Sequence, residues 1–334
     1  MPESGSARMV DAMSGSITLR TIQPDERGGV LDLLAGWLDR GFFERYFSHD
    51  PSFRDDLCFV AADAGRLVST LQVFRKTVRL DGALLSVGCV GNVYTDPAYR
   101  KAGLAAALLE RAIAAMSAHG FEVSLLFAEL VDFYGRLGWQ CVRRYLSYIE
   151  PGTPAPAERA AESFTADRDL DDVMAVYAAY SDPVAGATVR DRTYWTGQLA
   201  YAGNPHERFV VARDGGRVTA YARATTLYEF NCLIEHGCRS GAEPALAELI
   251  AGLHQGAATG TLAQLVPSAD LEALLAARGL TVKSVDDRSW MWRVIDAERL
   301  AATLRVPAAA VREPGFFADT LPAERTRYWL SDRF

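Results

Sequence analysis

This chain of 334 residues is poor in metal-ligand patterns, in positive charge and in long apolar runs, and each shortage removes a class of function. Its five histidines, His49, His119, His206, His236 and His254, are scattered without ligand spacing, and its five cysteines form no CxxC pair. Structural zinc sites need clustered thiolates or imidazoles, so no metal is expected. Cys58, Cys89, Cys141, Cys232 and Cys238 mostly sit in apolar, strand-like runs. That reads as buried free thiols of a reducing cytoplasm, not as a disulfide framework. A net charge of −7 argues against a nucleic-acid partner and suits a cationic substrate. No apolar stretch is long and uncharged enough to span a bilayer. Residues 1–15, rich in Gly, Ser and Met, lack the apolar core of a signal peptide, so they read as a disordered leader and the protein as cytoplasmic.

Apolar residues, by contrast, are plentiful: 49% of the chain is hydrophobic and 23% charged, enough to bury sizeable cores over a length that suits two domains. The most informative stretch is 86–139. Val87 to Tyr94 is an apolar run that reads as a buried strand, Asp96-Pro97 breaks it, and from Leu104 apolar residues recur at helical spacing (Leu108, Ala112, Ala115). The turn between them is Arg100-Lys101-Ala102-Gly103-Leu104-Ala105. Gly103 lets the backbone come close to a ligand, the free N–H groups of the first helical turn favour a phosphate, and Arg100 and Lys101 add two cations that would otherwise oppose the helix dipole.

Arg-x-x-Gly-x-Ala between a strand and a helix resembles the pyrophosphate loop of the GNAT superfamily of acyl-CoA N-acyltransferases. Downstream, Phe133-Tyr134-Gly-Arg-Leu-Gly-Trp139 is similar to that family's Phe-Tyr-x-x-x-Gly-Phe segment, which starts the helix lining the thiol end of coenzyme A. Two motifs in the right order carry the resemblance much further than one short glycine motif.

The rest of residues 16–150 reads as one GNAT domain. Ile17 to Ile22 alternates as a strand, and a helix opens at Pro24-Asp25-Glu26 with Val30, Leu33, Leu34, Trp37 and Leu38 on its apolar face. Leu57–Ala62 and Leu67–Phe74 read as a hairpin, Lys76–Leu80 as a third strand, Val123–Phe127 as a strand, Val131–Leu137 as a helix and Cys141–Ile149 as a closing strand. This β-α-β-β-β-α-β-α-β order is the one the GNAT fold requires.

Residues 151–162 form a Pro/Ala-rich linker, after which the pattern repeats weakly over 163–296. Arg208-Phe-Val-Val-Ala-Arg-Asp-Gly-Gly-Arg217 echoes Cys58-Phe-Val-Ala-Ala-Asp-Ala-Gly-Arg66. In the second copy, Glu243 stands where a phosphate would need a cation or a bare amide, and Leu274-Leu275 replaces Phe133-Tyr134. The expected fold class is therefore α/β with mixed sheets: two tandem GNAT folds, the second degenerate, and a C-terminal tail at 297–334 docking near the active site.

Tandem GNAT domains with only the first intact resemble the Eis ("enhanced intracellular survival") type of acetyltransferase, which Pro97-Ala-Tyr-Arg-Lys-Ala-Gly-Leu104 and Trp290-Met-Trp-Arg-Val-Ile-Asp296 also match. That family usually adds a third, sterol-carrier-like domain of about a hundred residues, for which Ala301 to Phe334 is too short. The resemblance implies acetyl-CoA as cosubstrate, bound by Arg100 to Ala105 with Phe133 and with Val93, Tyr94 and Thr95 along the central strand. It implies Tyr134 as the acid that protonates the thiolate and the C-terminal carboxylate, here that of Phe334, as the base. Many GNAT enzymes carry a glutamate on the central strand, whereas Gly91-Asn-Val-Tyr-Thr-Asp96 has none. Glu129 is a further candidate base, and Asp132, with Trp37, Asp39 and Phe43 from the first helical region, a candidate wall of the acceptor pocket. The function expected is direct transfer of an acetyl group to a primary amine of a small molecule such as an antibiotic or related metabolite. The alternatives are a protein or peptide N-acyltransferase and a non-catalytic acyl-CoA-binding regulatory module. Homo-oligomerisation is left open.

Overall fold

Two seven-stranded mixed sheets organise the described residues, 17–156, 161–202, 207–227, 230–266, 268–332 and 334, of a computed structural model. The expected leader and residues 157–160 of the expected linker lie outside them.

The first part of the chain runs β1 (Ile17–Thr21), α1 (Arg27–Leu34), α2 (Arg40–His49), β2 (Cys58–Asp63), β3 (Arg66–Leu80) and β4 (Ala83–Thr95). It continues through α3 (Leu104–Ala118), β5 (Val123–Phe127), α4 (Val131–Arg136), β6 (Gln140–Cys141) and β7 (Arg144–Ile149). The second part runs β8 (Glu162–Ser163), α5 (Ala166–Ser181), α6 (Arg192–Ala202), β9 (Arg208–Asp214), β10 (Arg217–Leu227), β11 (Phe230–Cys238) and α7 (Glu243–His254). Then come β12 (Thr261–Ala263), α8 (Ala269–Ala277), β13 (Val282–Asp287), β14 (Trp290–Val294), α9 (Ala297–Leu304) and α10 (Phe316–Thr320).

β3 is one continuous strand, where the sequence reading broke it before Lys76. The charge does not interrupt the sheet because the Lys76 ammonium pairs with Asp50 at 3.0 Å, both side chains fully buried. Around the middle of β3 the residues on both faces are buried, as expected of a strand covered by helices on either side. On one face lies α3, whose Leu104, Leu108, Leu109, Ala112 and Met116 form a buried stripe at helical spacing. On the other lie α1 and α2, which enclose Phe43, Phe47 and Tyr94.

The sheet orders are β1-β2-β3-β4-β5-β14-β6 and β13-β7-β12-β11-β10-β9-β8. Cys141–Ile149 is therefore not a single closing strand of the first sheet. Its first residues pair with β14, while β7 runs between β12 and β13 of the second sheet. In exchange, β14 enters the first sheet antiparallel to β5 and buries Trp290, Met291 and Trp292 there. A division of the chain at residue 150 does not follow the sheets.

After α9 the chain returns across the first sheet. Val311, Phe316, Phe317, Leu321 and Tyr328 join Val87, Cys89, Trp290 and Trp292 in one core, so the tail is packed structure. Among the described residues no helix is long and apolar enough to cross a membrane, and no group of three or more His, Cys, Asp or Glu is placed to hold a metal ion.

Candidate active site

β4 carries the local irregularity on which the site depends. Gln72 pairs with Gly91 and Thr70 with Tyr94, so Asn92 and Val93 on β4 face only Leu71 on β3. This is a bulge, and Asn92 meets it with a left-handed φ of 53°, a conformation that asparagine tolerates better than most residues. Its side-chain amide donates to the Gln72 carbonyl oxygen, and both side chains are buried. On its other edge β4 pairs in parallel with β5 only from Val87 to Cys89. Beyond that point the two strands separate, leaving a cleft between the bulge and Phe127.

At the far end of the cleft lies the basic glycine turn. Asp96 caps the short turn at Pro97–Tyr99 by accepting from Ala98 N–H at 2.9 Å and is tied to Arg66. Lys101 and Gly103 both have positive φ, 66° and 78°, and Gly103 is the residue that leads into α3. The first intrahelical bond is Ala107 N–H to the Gly103 oxygen at 3.0 Å, so the preceding amides are open at the helix start. A side chain added at Gly103 would meet no protein atom within 4 Å. Arg100 lies over the Tyr94 ring and donates from Nε to the Thr95 oxygen at 3.2 Å, and Lys101 is exposed. The structure therefore gathers Tyr94 to Ala105 around one exposed, positively charged amide cluster. That arrangement suits a pyrophosphate.

Tyr134 lies on α4, on the α3 side of the sheet, in edge-on contact with Phe133 and Trp139. Burial pushes its phenol up to about 12. Its hydroxyl makes no hydrogen bond among the described residues, so it is a protonated donor at neutral pH with its bond unspent.

Phe334 lies between the bulge and Phe127. The Phe334 ring stands 5.8 Å from Phe127, 6.1 Å from Phe74 and 6.2 Å from Tyr328. Its main chain lies so close to the bulge that a Cβ on Gly91 would come within 3.0 Å of the Phe334 oxygen. Glycine at 91 is what admits this approach.

The remaining candidates are more scattered. Glu129 and Asp132 follow β5 as exposed residues without ion pairs among the described residues. Trp37 is 51% exposed and stacks parallel to Tyr94 at 6.5 Å. Phe43, beneath it, is fully buried and so supports Trp37 without facing a ligand. Asp39 is exposed at the start of α2. In the second half Glu243 begins α7, and Leu274-Leu275 lies within α8.

Sequence reasoning missed two features: the Gln72–Asn92 pair and the anchoring of residues next to Phe334. A Gly-Asn pair inside an apolar strand was the available signal for a bulge. No comparable signal marks the tail's anchor, because its partners come from distant elements.

A family profile for the acetyltransferase (GNAT) domain matches residues 18–142. An uncharacterized N-acetyltransferase of Streptomyces coelicolor is 28% identical over 240 residues, 68% of this chain, and the chain spans 55% of that relative's length. In fold the chain is similar to a GCN5-related N-acetyltransferase from Kribbella flavida, with a TM-score of 0.64 at 18% identity over 86% of this chain and 74% of that one. Eis1 from Mycobacterium abscessus superposes with a TM-score of 0.59 at 16% identity over 86% and 75% of the two chains. A conserved Enterococcus faecalis protein gives 0.67 at 15% identity, over 86% and 74%.

Proposed function

We propose that this protein, of which residues 18–142 match a GNAT acetyltransferase domain profile, transfers the acetyl group of acetyl-CoA directly to a primary amine of a small, cationic acceptor, of the antibiotic or related-metabolite kind. The observation that carries this reading is the cleft itself: β4 parts from β5 after Cys89 and leads from a bulge to an open, cationic helix start. Pantetheine would lie along the free edge of β4 near Val93 to Thr95 as an added strand, with its pyrophosphate at Arg100 to Ala105. The acceptor would enter over Trp37, whose exposed ring, two residues before the exposed Asp39, suits an ammonium.

In this reading the amine nitrogen attacks the thioester carbonyl carbon, the C–S bond breaks, and the thiolate takes the Tyr134 proton. The proton lost by the amine goes to the terminal carboxylate of Phe334, directly or through water. What supports this choice is the closeness of the Phe334 main chain to Gly91; Glu129 is an exposed residue just after β5.

The test is thermal stability with and without acetyl-CoA, followed by thiol release across a panel of amines. Ligand that binds the folded state alone raises the midpoint, and about a hundred-fold excess over Kd adds about 2.7 kcal/mol. A raised midpoint with amine-dependent thiol release is expected. Binding without release on small amines, but with release on peptides, would move the acceptor to protein. Binding without any release would leave a binding module.

A further inference from the structure

The second half holds an open groove that shares no residue with the candidate active site. It lies between α8, the strands β7 and β13 at the edge of the second sheet, and the tail segment around Arg327. Its volume of about 660 Å³ falls in the range usual for small-molecule sites. Leu265 and Leu280, both buried, supply its apolar part.

Arg327 sets this groove apart. Four arginines among the described residues are buried, and three of them, Arg144, Arg190 and Arg223, sit against carboxylates at ion-pair distance. Arg327, only 5% exposed, has no such partner among the described residues. Its Nε donates to the Leu265 carbonyl oxygen at 2.7 Å, and its Nη1 donates to the carbonyl oxygens of Ala323 at 2.9 Å and Thr326 at 2.6 Å. Nη2 makes no hydrogen bond among the described residues, and the residue lines the groove. Burial without a counter-charge holds the guanidinium down at about 10, so at neutral pH it is a cation still lacking an anion. A charge taken out of water unpaired is costly, and a carboxylate brought to Nη2 would recover part of that cost through a charge-assisted hydrogen bond.

The rest of the lining narrows the anion. Glu272 and Glu324 face the same groove, exposed and without ion pairs among the described residues. Two carboxylates would repel a dianion such as a phosphate ester, whereas they suit a ligand that also carries an ammonium. A carboxylate for Arg327, an ammonium for the glutamates and an apolar body against Leu265 and Leu280 together describe a peptide with free ends. Two residues fill more of the groove than a free amino acid does.

We propose that this groove binds a short zwitterionic peptide with apolar side chains, its carboxylate on Arg327 and its ammonium toward Glu272 and Glu324. The inference is independent of the acetyl-transfer reading, so either can fail without the other.

Titration calorimetry of the full chain with the dipeptide alanyl-leucine, its C-terminal amide and its N-acetyl form tests the assignment. The free dipeptide is expected to bind, and each blocked form to bind about tenfold more weakly or worse, the usual effect of losing a hydrogen bond to a charged group. Arg327→Lys keeps the charge but removes the open Nη2, and a loss of about tenfold is expected there too. Should that variant not fold, Ala276→Trp carries the test. Ala276 is an exposed residue of α8 that lines the groove, and an indole there fills the space without altering a charge. Ala276→Trp is expected to abolish dipeptide binding at an unchanged melting midpoint. No heat of binding at millimolar dipeptide, or an amide or N-acetyl form that binds as well as the free dipeptide, would overturn the proposal. Undiminished binding to Ala276→Trp would overturn it as well, because a dipeptide amine held as acceptor in the candidate active site would behave in that way.

Discussion

Tyr134 shows how much chemistry depends on the surroundings of one side chain. In water its phenol would be an indifferent acid, but on α4 it is enclosed by apolar neighbours that raise its pKa to about 12. Burial disfavours the phenolate, so the group keeps its proton throughout the range in which a primary amine can be neutral. Tyr134→Phe should lower kcat by about 10²- to 10³-fold, the usual contribution of a positioned acid, with the acetyl-CoA midpoint shift retained. In the natural chain, turnover should show no fall attributable to Tyr134 deprotonation up to about pH 10, because a raised pKa leaves the acid form dominant there. Stopped-assay thiol release over pH 6–10, run on both proteins, checks both statements. A Phe variant with natural turnover would transfer the acid role elsewhere.

Strand, turn and helix from Val87 to Ala118 were legible in the sequence, and so was the α4 segment. In both places local patterning and tertiary structure agree; in the first, an apolar run is a buried strand, a glycine at positive φ follows, and then comes a stripe at helical spacing. The turn's openness makes its own prediction. Gly103→Glu would face strain from the left-handed backbone, and although its side chain would meet no protein atom, it would place an anion where a diphosphate should sit. Acetyl-CoA affinity should fall by about 10²-fold or more while melting without ligand drops by about 1–2 kcal/mol for the backbone strain. Isothermal titration reads the first and denaturant midpoints the second; unchanged affinity would mean that the pyrophosphate lies elsewhere. The bulge at Asn92 was harder to read, since it depends on which residue of β3 each residue of β4 opposes. The Arg190–Asp332 pair was harder still. Two charged residues 142 positions apart look like surface groups until the fold buries both.

Strand exchange ties the whole molecule together, and sequence patterning could not reveal it. β7 and β14 are both short strands that begin a few residues after another strand, β6 and β13, and nothing in either says which sheet it will join. The outcome is that each half completes the other: β14 lies on β5 of the first sheet, β7 lies between β12 and β13 of the second, and the tail packs on both β4 and β14. Removing everything after residue 150 would take Trp290, Met291 and Trp292 out of the first core, along with the Phe316, Phe317 and Tyr328 that cover it. At about 1.5–3 kcal/mol for each large buried apolar side chain, those six residues represent more than about 9 kcal/mol of burial. A typical domain's entire margin is only about 5–15 kcal/mol. Residues 17–150 expressed alone should therefore fail to fold, despite containing every residue proposed to bind acetyl-CoA, and the full chain should melt in one calorimetric transition with matching van't Hoff and calorimetric enthalpies. A soluble 17–150 fragment with natural-like circular dichroism and an acetyl-CoA-dependent midpoint would show instead that the exchanged strands merely decorate two independent domains. Two resolved transitions in the full chain would carry the same meaning, because halves that share strands and a buried charge network cannot unfold one at a time without exposing both.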